Sequence, residues 1–153
     1  MVRSLDGSNS WEFERVKGFS FAPNGDFLQY TLAEEDTLDN AALYLLNLAT
    51  GESKPIHENM TTYSGVTFSP QSQHLAFIAT DDSLRAKKPV HALYLFSIAS
   101  GSISYQVSKT TPGILQNGRI SPEGSIRFSE DESSVFFGVA KDYLDYDLSL
   151  IHI

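Results

Sequence analysis

Three sets of residues in this chain have types and spacings that would allow chemistry: serines beside glycine, four histidines, and three clusters of carboxylates. A hydrolytic serine on a nucleophile elbow is written G-x-S-x-G, the glycines permitting a strained turn that exposes the hydroxyl. The nearest approaches are "GFSFA" (18–22) and "GESKP" (51–55), and both lack the second glycine. The histidines stand at 57, 74, 91 and 152, separated by 17, 17 and 61 residues, so no H-x-x-x-H pair or comparable ligand spacing arises. His74 and His91 fall at strand starts, where a surface imidazole is the ordinary outcome. The chain has no cysteine, which removes thiolate nucleophiles, thiolate metal sites and disulfides together. No residue is therefore assigned a catalytic, cofactor-binding or metal-binding role.

The carboxylate clusters are "EEDTLD" (34–39), "DDS" (81–83) and "DYLDYD" (142–147). Each follows the second strand of a repeated unit described below, which places them in equivalent loops on one face. Converging carboxylates suit a hard cation, which takes several oxygen ligands. Asp142, Asp145 and Asp147 do not match the EF-hand order, and solvated loops are the plainer reading. The basic run "RAKK" (85–88) lies in the corresponding loop of the second unit, within reach of these acids. Surface pairs of that kind contribute only about 0–1 kcal/mol each.

What must position these groups is a repeat. "FSFAPNGDFLQY" (19–30), "VTFSPQSQHLAF" (66–77) and "IRFSEDESSVFF" (126–137) share an aromatic third position (Phe21, Phe68, Phe128) and an aromatic twelfth (Tyr30, Phe77, Phe137). "ALYLLNLATGESKPI" (42–56) is echoed fifty residues on by "ALYLFSIASGSISYQV" (92–107). Alternating Leu, Ile, Tyr and Phe between Gly, Ser and Thr turns is strand chemistry, and no segment sustains a helical apolar period. The expected strands lie near 17–22, 26–33, 42–48 and 53–57, then near 64–69, 73–80, 91–98 and 102–107. A third unit begins near 125–129 and continues through 134–140. The aligned phenylalanines are 47 and then 60 residues apart; "SKTTPGILQNGRISPEGS" (108–125) takes up the difference as an insertion loop or hairpin.

Four strands recurring every 40–50 residues or so are the signature of a β-propeller blade. The chain is expected to be all β, with four-stranded antiparallel blades at about 12–60 and 61–110, an insertion at 111–124, and a partial third blade from about 125 to 153. Such a propeller is open. Phe21, Phe68 and Phe128 should be buried on first strands, with Leu28, Leu75 and Val135 buried on second strands. Two blades and a part cannot close a ring, so apolar surface should remain at the ends, with self-association through open sheet edges.

"FAPNGDFLQYTL…ALYLLNLATGE" and "FSPQSQHLAFIAT…ALYLFSIASGS" resemble the F-S-P-D-G-x-x-L-A-F…L-Y-x-x-D-x-x-T-G-E pattern of TolB-like propeller repeats over roughly residues 17–140. "IRFSEDESSVFFGVAKD" (126–142) is similar to the F-S-E-D-G-x-x-L-F-F-G stretch in the propeller of bacterial prolyl-oligopeptidase-like serine peptidases. Glu132 stands where that family has glycine, and Val135 where it has leucine. In that family the propeller precedes a catalytic α/β-hydrolase domain. The resemblance therefore implies a non-catalytic segment that gates substrate access to a hydrolase domain downstream. The rival reading is a TolB-like module that docks a peptide or protein ligand and carries no enzyme.

Composition narrows the classes further. With 11 basic and 19 acidic residues the net charge is −8, without the basic stripe a nucleic-acid footprint requires. No apolar run approaches the length of a membrane span, and "MVRSLDGSNS" has no signal-peptide h-region. Neither feature chooses a compartment.

Overall fold

Strands form where apolar residues alternate, and they stop where the backbone must turn left-handed. The computed structural model describes residues 1–33, 41–83 and 85–141; these carry fourteen strands and no helix. A two-stranded hairpin comes first, β1 (Val2–Arg3) with β2 (Ser10–Trp11). β3 (Val16–Phe21), β4 (Phe27–Ala33), β5 (Ala41–Asn47) and β6 (Ser53–Met60) form one antiparallel sheet in chain order. β7 (Thr62–Phe68), β8 (His74–Thr80), β9 (Ala92–Ser97) and β10 (Ser102–Val107) form a second sheet of the same kind. Both are the four-stranded meanders that the repeat predicts. Pro55 sits in β6, an edge strand, where its missing N–H leaves no ladder bond unmade.

The hairpin turns explain the repeated sentence. Gly25, Ser72 and Glu132 occupy the same place in their turns, with φ of 78°, 60° and 57°. Their amides donate to Ala22, Ser69 and Ser129 carbonyls at 2.9, 2.9 and 3.0 Å. A left-handed residue is thus kept in all three repeats, although only the first uses glycine, which adopts it without steric cost.

The third unit is more broken than the first two. β11 (Gly118–Ile120) pairs with β14 (Val139–Lys141), and β12 (Arg127–Phe128) pairs with β13 (Val135–Phe136). The segment read as an insertion therefore contributes a strand. Residues 121–126 separate β11 from β12 on one side, while only Phe137 and Gly138 separate β13 from β14 on the other. The first strands of the other sheets carry one-residue irregularities nearby, between Val16 and Gly18 and between Ser64 and Thr67. The added loop has grown at a bulge site, where an extra residue is already tolerated. It folds back through Gly124 and Gly138, and Ser121 N–H donates to the Gly138 carbonyl at 2.9 Å. A Cβ on Gly124 would lie 2.9 Å from the Gly138 Cα, so the contact needs bare backbone.

Three apolar clusters stack through the molecule. One face of the first sheet holds Leu28, Tyr30 and Leu46 against Val2, Trp11 and Phe13. Between the two sheets lie Leu43, Phe68, Leu75, Phe77 and Phe96. Beyond the second sheet, Ala76, Ile78 and Leu93 meet Ile120 and Ile126 of the third unit. The second sheet is covered on both faces, so β8 is buried continuously from Leu75 to Thr80. Burying a side chain the size of Phe77 contributes about 1.5–3 kcal/mol.

Burial departs from the expected pattern in one instructive respect. Leu28, Leu75 and Phe68 are buried, Phe128 and Val135 are half-buried, and Phe21 is 51% exposed. The three phenylalanines occupy equivalent positions, each closing the first strand of its hairpin. Phe68 has the first sheet over it, whereas no inner strand covers Phe21 among the described residues.

Candidate functional site

The two seams between neighbouring repeats share a turn-to-turn hydrogen bond. Turn by turn, an amide just before the left-handed residue reaches a side chain of the next repeat. Asn24 N–H donates to Ser72 Oγ at 3.1 Å, and Gln71 N–H, at the equivalent position, donates to Glu132 Oε1 at 2.5 Å. Glycine offers no acceptor there, which accounts for Ser72 and Glu132 despite the strain of their positive φ. The Glu132 side chain is only 5% exposed. Burial opposes its ionisation, but hydrogen bonds from Ser69, Gln71 and His74 outweigh burial and hold the carboxyl below the usual glutamate range.

Farther out, each face of the first sheet carries a stacked ring pair capped by a third, tilted ring. Phe77 and Tyr94 of the second sheet stack at 5.3 Å, and His57 from β6 of the first sheet covers them at 5.3 and 4.5 Å. Tyr30 and Tyr44 of the first sheet stack likewise at 5.3 Å, and Phe13 covers Tyr30 at 4.4 Å. His57 Nδ1 also lies 3.0 Å from the Tyr63 hydroxyl. Burial pushes the His57 imidazole below the usual histidine range and the Tyr63 phenol above the usual tyrosine range.

The remaining histidines correct the expectation of surface imidazoles. His74 is partly covered, its Nδ1 3.3 Å from Glu132 Oε2. His91 is only 6% exposed, and its Nδ1 has no hydrogen-bond partner. It precedes β9, within electrostatic reach of Asp82, Arg119 and Glu123. Burial lowers its pKa, against the pull of the two carboxylates. Sequence reasoning missed this because strand starts are usually open, whereas this one lies under the added loop of the third unit. His152 lies outside the described residues.

The carboxylate loops do not assemble a site among the described residues. Glu34–Asp39 and Asp142–Asp147 fall outside them. Asp82 turns inward and accepts the Val90 N–H, which makes it a loop brace, while Asp81 is exposed. No group of three or more His, Asp or Glu side chains among the described residues is placed to hold a metal ion. Ser20 donates no proton to a base; its hydroxyl accepts from Gln29 Nε2 at 2.9 Å, and Ser53 Oγ lies 2.6 Å from the Tyr30 hydroxyl.

What the described surface does offer is an apolar face. Phe19 and Phe21 stand 62% and 51% exposed on β3, their rings edge to face at 6.4 Å. They border a groove of about 400 Å³ whose floor includes Val16, Leu28 and Tyr30 and whose outer wall includes Val2 and Phe13. Its lining is mostly apolar, with Arg3 also at the groove.

Comparison with solved structures agrees with this architecture. The chain superposes on the β-propeller domain of the Trilobed protease from Pyrococcus furiosus with a TM-score of 0.56 at 15% identity, over 90% of this chain and 43% of that one. TolB from Acinetobacter baumannii gives 0.51 at 18% identity, over 88% and 30%. The acylaminoacyl peptidase of Pyrococcus horikoshii gives 0.51 at 13%, over 77% and 22%. The chain thus spans less than half the length of each of these structures. No protein-family model matches, and no curated protein matches in sequence. At these identities the likeness shows the fold: an open run of β-propeller blades, of the kind found in TolB and in peptidase propellers.

Proposed function

We propose that this chain is a non-catalytic propeller segment of a prolyl-oligopeptidase-like serine peptidase, screening substrates on their way to an α/β-hydrolase domain carried elsewhere in the protein. The observation that carries this reading is the likeness of the fold to peptidase propellers, joined to the peptidase-like stretch "FSEDESSVFFG". Within that stretch Glu132, where the peptidase pattern has glycine, ties the third repeat to the second. A screening propeller needs blades that hold register, and a charge-assisted hydrogen bond between repeats supplies that rigidity. The reading has two tests. The reading frame after Ile153 is expected to continue into a G-x-S-x-G elbow; more blades followed by a stop would favour the TolB-like alternative. The isolated chain is expected to leave prolyl-peptide and ester reporters intact and to resist a serine-directed fluorophosphonate, because acyl transfer needs a nucleophile beside a base and donors aimed at the oxyanion. Stoichiometric labelling of one serine would overturn it.

The second reading, a propeller that docks a protein or peptide and carries no enzyme, is favoured by the open apolar face at Phe19 and Phe21. Pull-down with that face intact and with Phe21→Asp separates the two, since only the docking module would lose its ligand.

A further inference from the structure

The opening hairpin meets the first sheet much as β6 meets the second, and the two junctions differ at one place. Trp11 of β2 lies over the turn that joins β5 to β6, its Nε1 3.1 Å from where a Cβ on Gly51 would stand. It belongs to one apolar cluster with Leu46 and Leu48. In the second sheet the equivalent turn carries Gly101, and a Cβ there would meet nothing within 4 Å. The turns themselves match. Gly51 and Gly101 are left-handed, with φ of 74° and 65°, and their amides donate to the Asn47 and Ser97 carbonyls at 2.8 and 2.9 Å. The rings beside them match as well, since Phe13 covers the Tyr30–Tyr44 pair and His57 covers Phe77–Tyr94. Trp11 stands two residues before Phe13, and the residue two before His57 is Pro55.

Where the indole lies in one junction, the other has a groove of about 400 Å³, within the roughly 300–1,000 Å³ of ligand pockets. Its walls include Leu45, Pro55 and Ile56 of the first sheet and Phe96, Ile98 and Gly101 of the second. Both walls belong to four-stranded sheets that are described in full on this side, so the groove is the same however many blades the propeller has. Its charges are balanced. Glu52 and Lys54 both line it and pair with each other at 3.2 Å, so charge complementarity favours an uncharged side chain. The Glu52 carboxylate also offers an acceptor at the groove to an indole N–H, which only donates. We propose that this groove docks a tryptophan of a partner protein, presented on an exposed segment with uncharged neighbours, as the first sheet receives Trp11 from within the chain. Tryptophan suits the role, because one large ring in a pocket between flatter surfaces carries much of an interface's energy. This docking site goes beyond the peptidase reading and holds whether or not a hydrolase domain is attached.

The probe is N-acetyl-tryptophanamide, titrated into the isotope-labelled chain while the amide signals of the two turns are followed by NMR. It should bind with a Kd on the order of 1–10 mM, since one ring is the whole contact. It should move the Gly101 amide and leave Gly51 in place, and N-acetyl-leucinamide should bind several-fold more weakly. Pro55→Trp supplies the indole from within the chain and should abolish the Gly101 shift. Pro55 is exposed on an edge strand, so the circular dichroism of that variant should match the parent. Trp11→Ala empties the first junction, and the probe should then move Gly51 as well. No shift at Gly101, equal binding of N-acetyl-leucinamide, or a Gly101 shift that survives Pro55→Trp would each overturn the proposal. A folded Trp11→Ala chain whose Gly51 ignores the probe would overturn the equivalence of the two grooves and the proposal with it. Concentration-dependent shifts at Gly101 without probe, lost in Trp11→Ala, would mean that a second copy fills the groove, and would overturn the assignment to a foreign partner.

Discussion

Glu132 Oε2 lies 3.3 Å from His74 Nδ1 across the seam between the second and third repeats, while Oε1 of the same carboxylate receives the Gln71 amide. One side chain, in a left-handed turn where its repeat kin use glycine or serine, ties two hairpins together. The variants of this residue separate strain from attachment. Glu132→Ala loses the bonds and keeps the strain, and is expected to cost about 1.5–3 kcal/mol, the range for hydrogen bonds to a charged group. Glu132→Gly loses the same bonds but relieves roughly 1–2 kcal/mol of left-handed strain, so its cost should be visibly smaller. Urea unfolding followed by circular dichroism measures both; a Glu132→Ala protein as stable as the parent would show that the clasp contributes nothing.

Position in the stack decides what an equivalent phenylalanine is worth. Phe68→Ala should cost about 3–5 kcal/mol, the usual penalty for a buried aromatic. Phe21→Ala at low protein concentration should stay within about 0.5 kcal/mol of the parent, as surface substitutions usually do. The two midpoints in urea give the comparison, and equal losses would refute the assignment of the covered and uncovered faces.

Backbone contact in the third unit makes a sharper demand. Gly124→Ala places a methyl against the Gly138 backbone and should cost about 1–3 kcal/mol, the range for overpacking. Gly18→Ala is the control. It meets nothing within 4 Å at ordinary φ, so it should be neutral or stabilise by up to about 1 kcal/mol. Thermal unfolding of the pair checks both signs.

Acid should loosen the stack in two steps. Burial holds the folded-state pKa values of His57 and His91 below the ordinary histidine value of 6.5, so the unfolded chain binds protons first and stability falls as pH drops below about 6.5. Glu132 is depressed below 4.5, and its contribution, present above that value, is lost on further acidification through its folded pKa. His57→Phe keeps a ring on Phe77 and Tyr94 without the titrating nitrogen. It should make the first step shallower, with His91 still titrating, and leave the second unchanged in a series of unfolding curves from about pH 7.5 to about pH 3.5, roughly one unit beyond each group.

Much of the architecture was legible in the linear order of residues. The aromatic third and twelfth positions put strands where they occur to within a few residues, and the alternation in "ALYLLNL" set which side chains share a face. The opening hairpin was missed, although its signal was present. Ser4, Asp6 and Ser8 repeat the spacing of Ser129, Asp131 and Ser133, and in both loops the aspartate takes bonds from the two flanking serines, holding its pKa at about 2. Only two residues pair on each side of that hairpin, too few for an alternation to register.

Strand existence, turn position and repeat register were determined by the sequence itself, because side-chain alternation and left-handed turns are properties of a few neighbouring residues. The tertiary structure alone decided which of three equivalent phenylalanines is covered, that His91 is buried, and that Glu132 reaches back to Gln71 and His74. Those outcomes depend on the sheet that arrives over a face from some fifty residues away, and a strand carries the same letters whether or not that sheet is there. Coverage is a property of the stack, and the stack exists only once the blades meet.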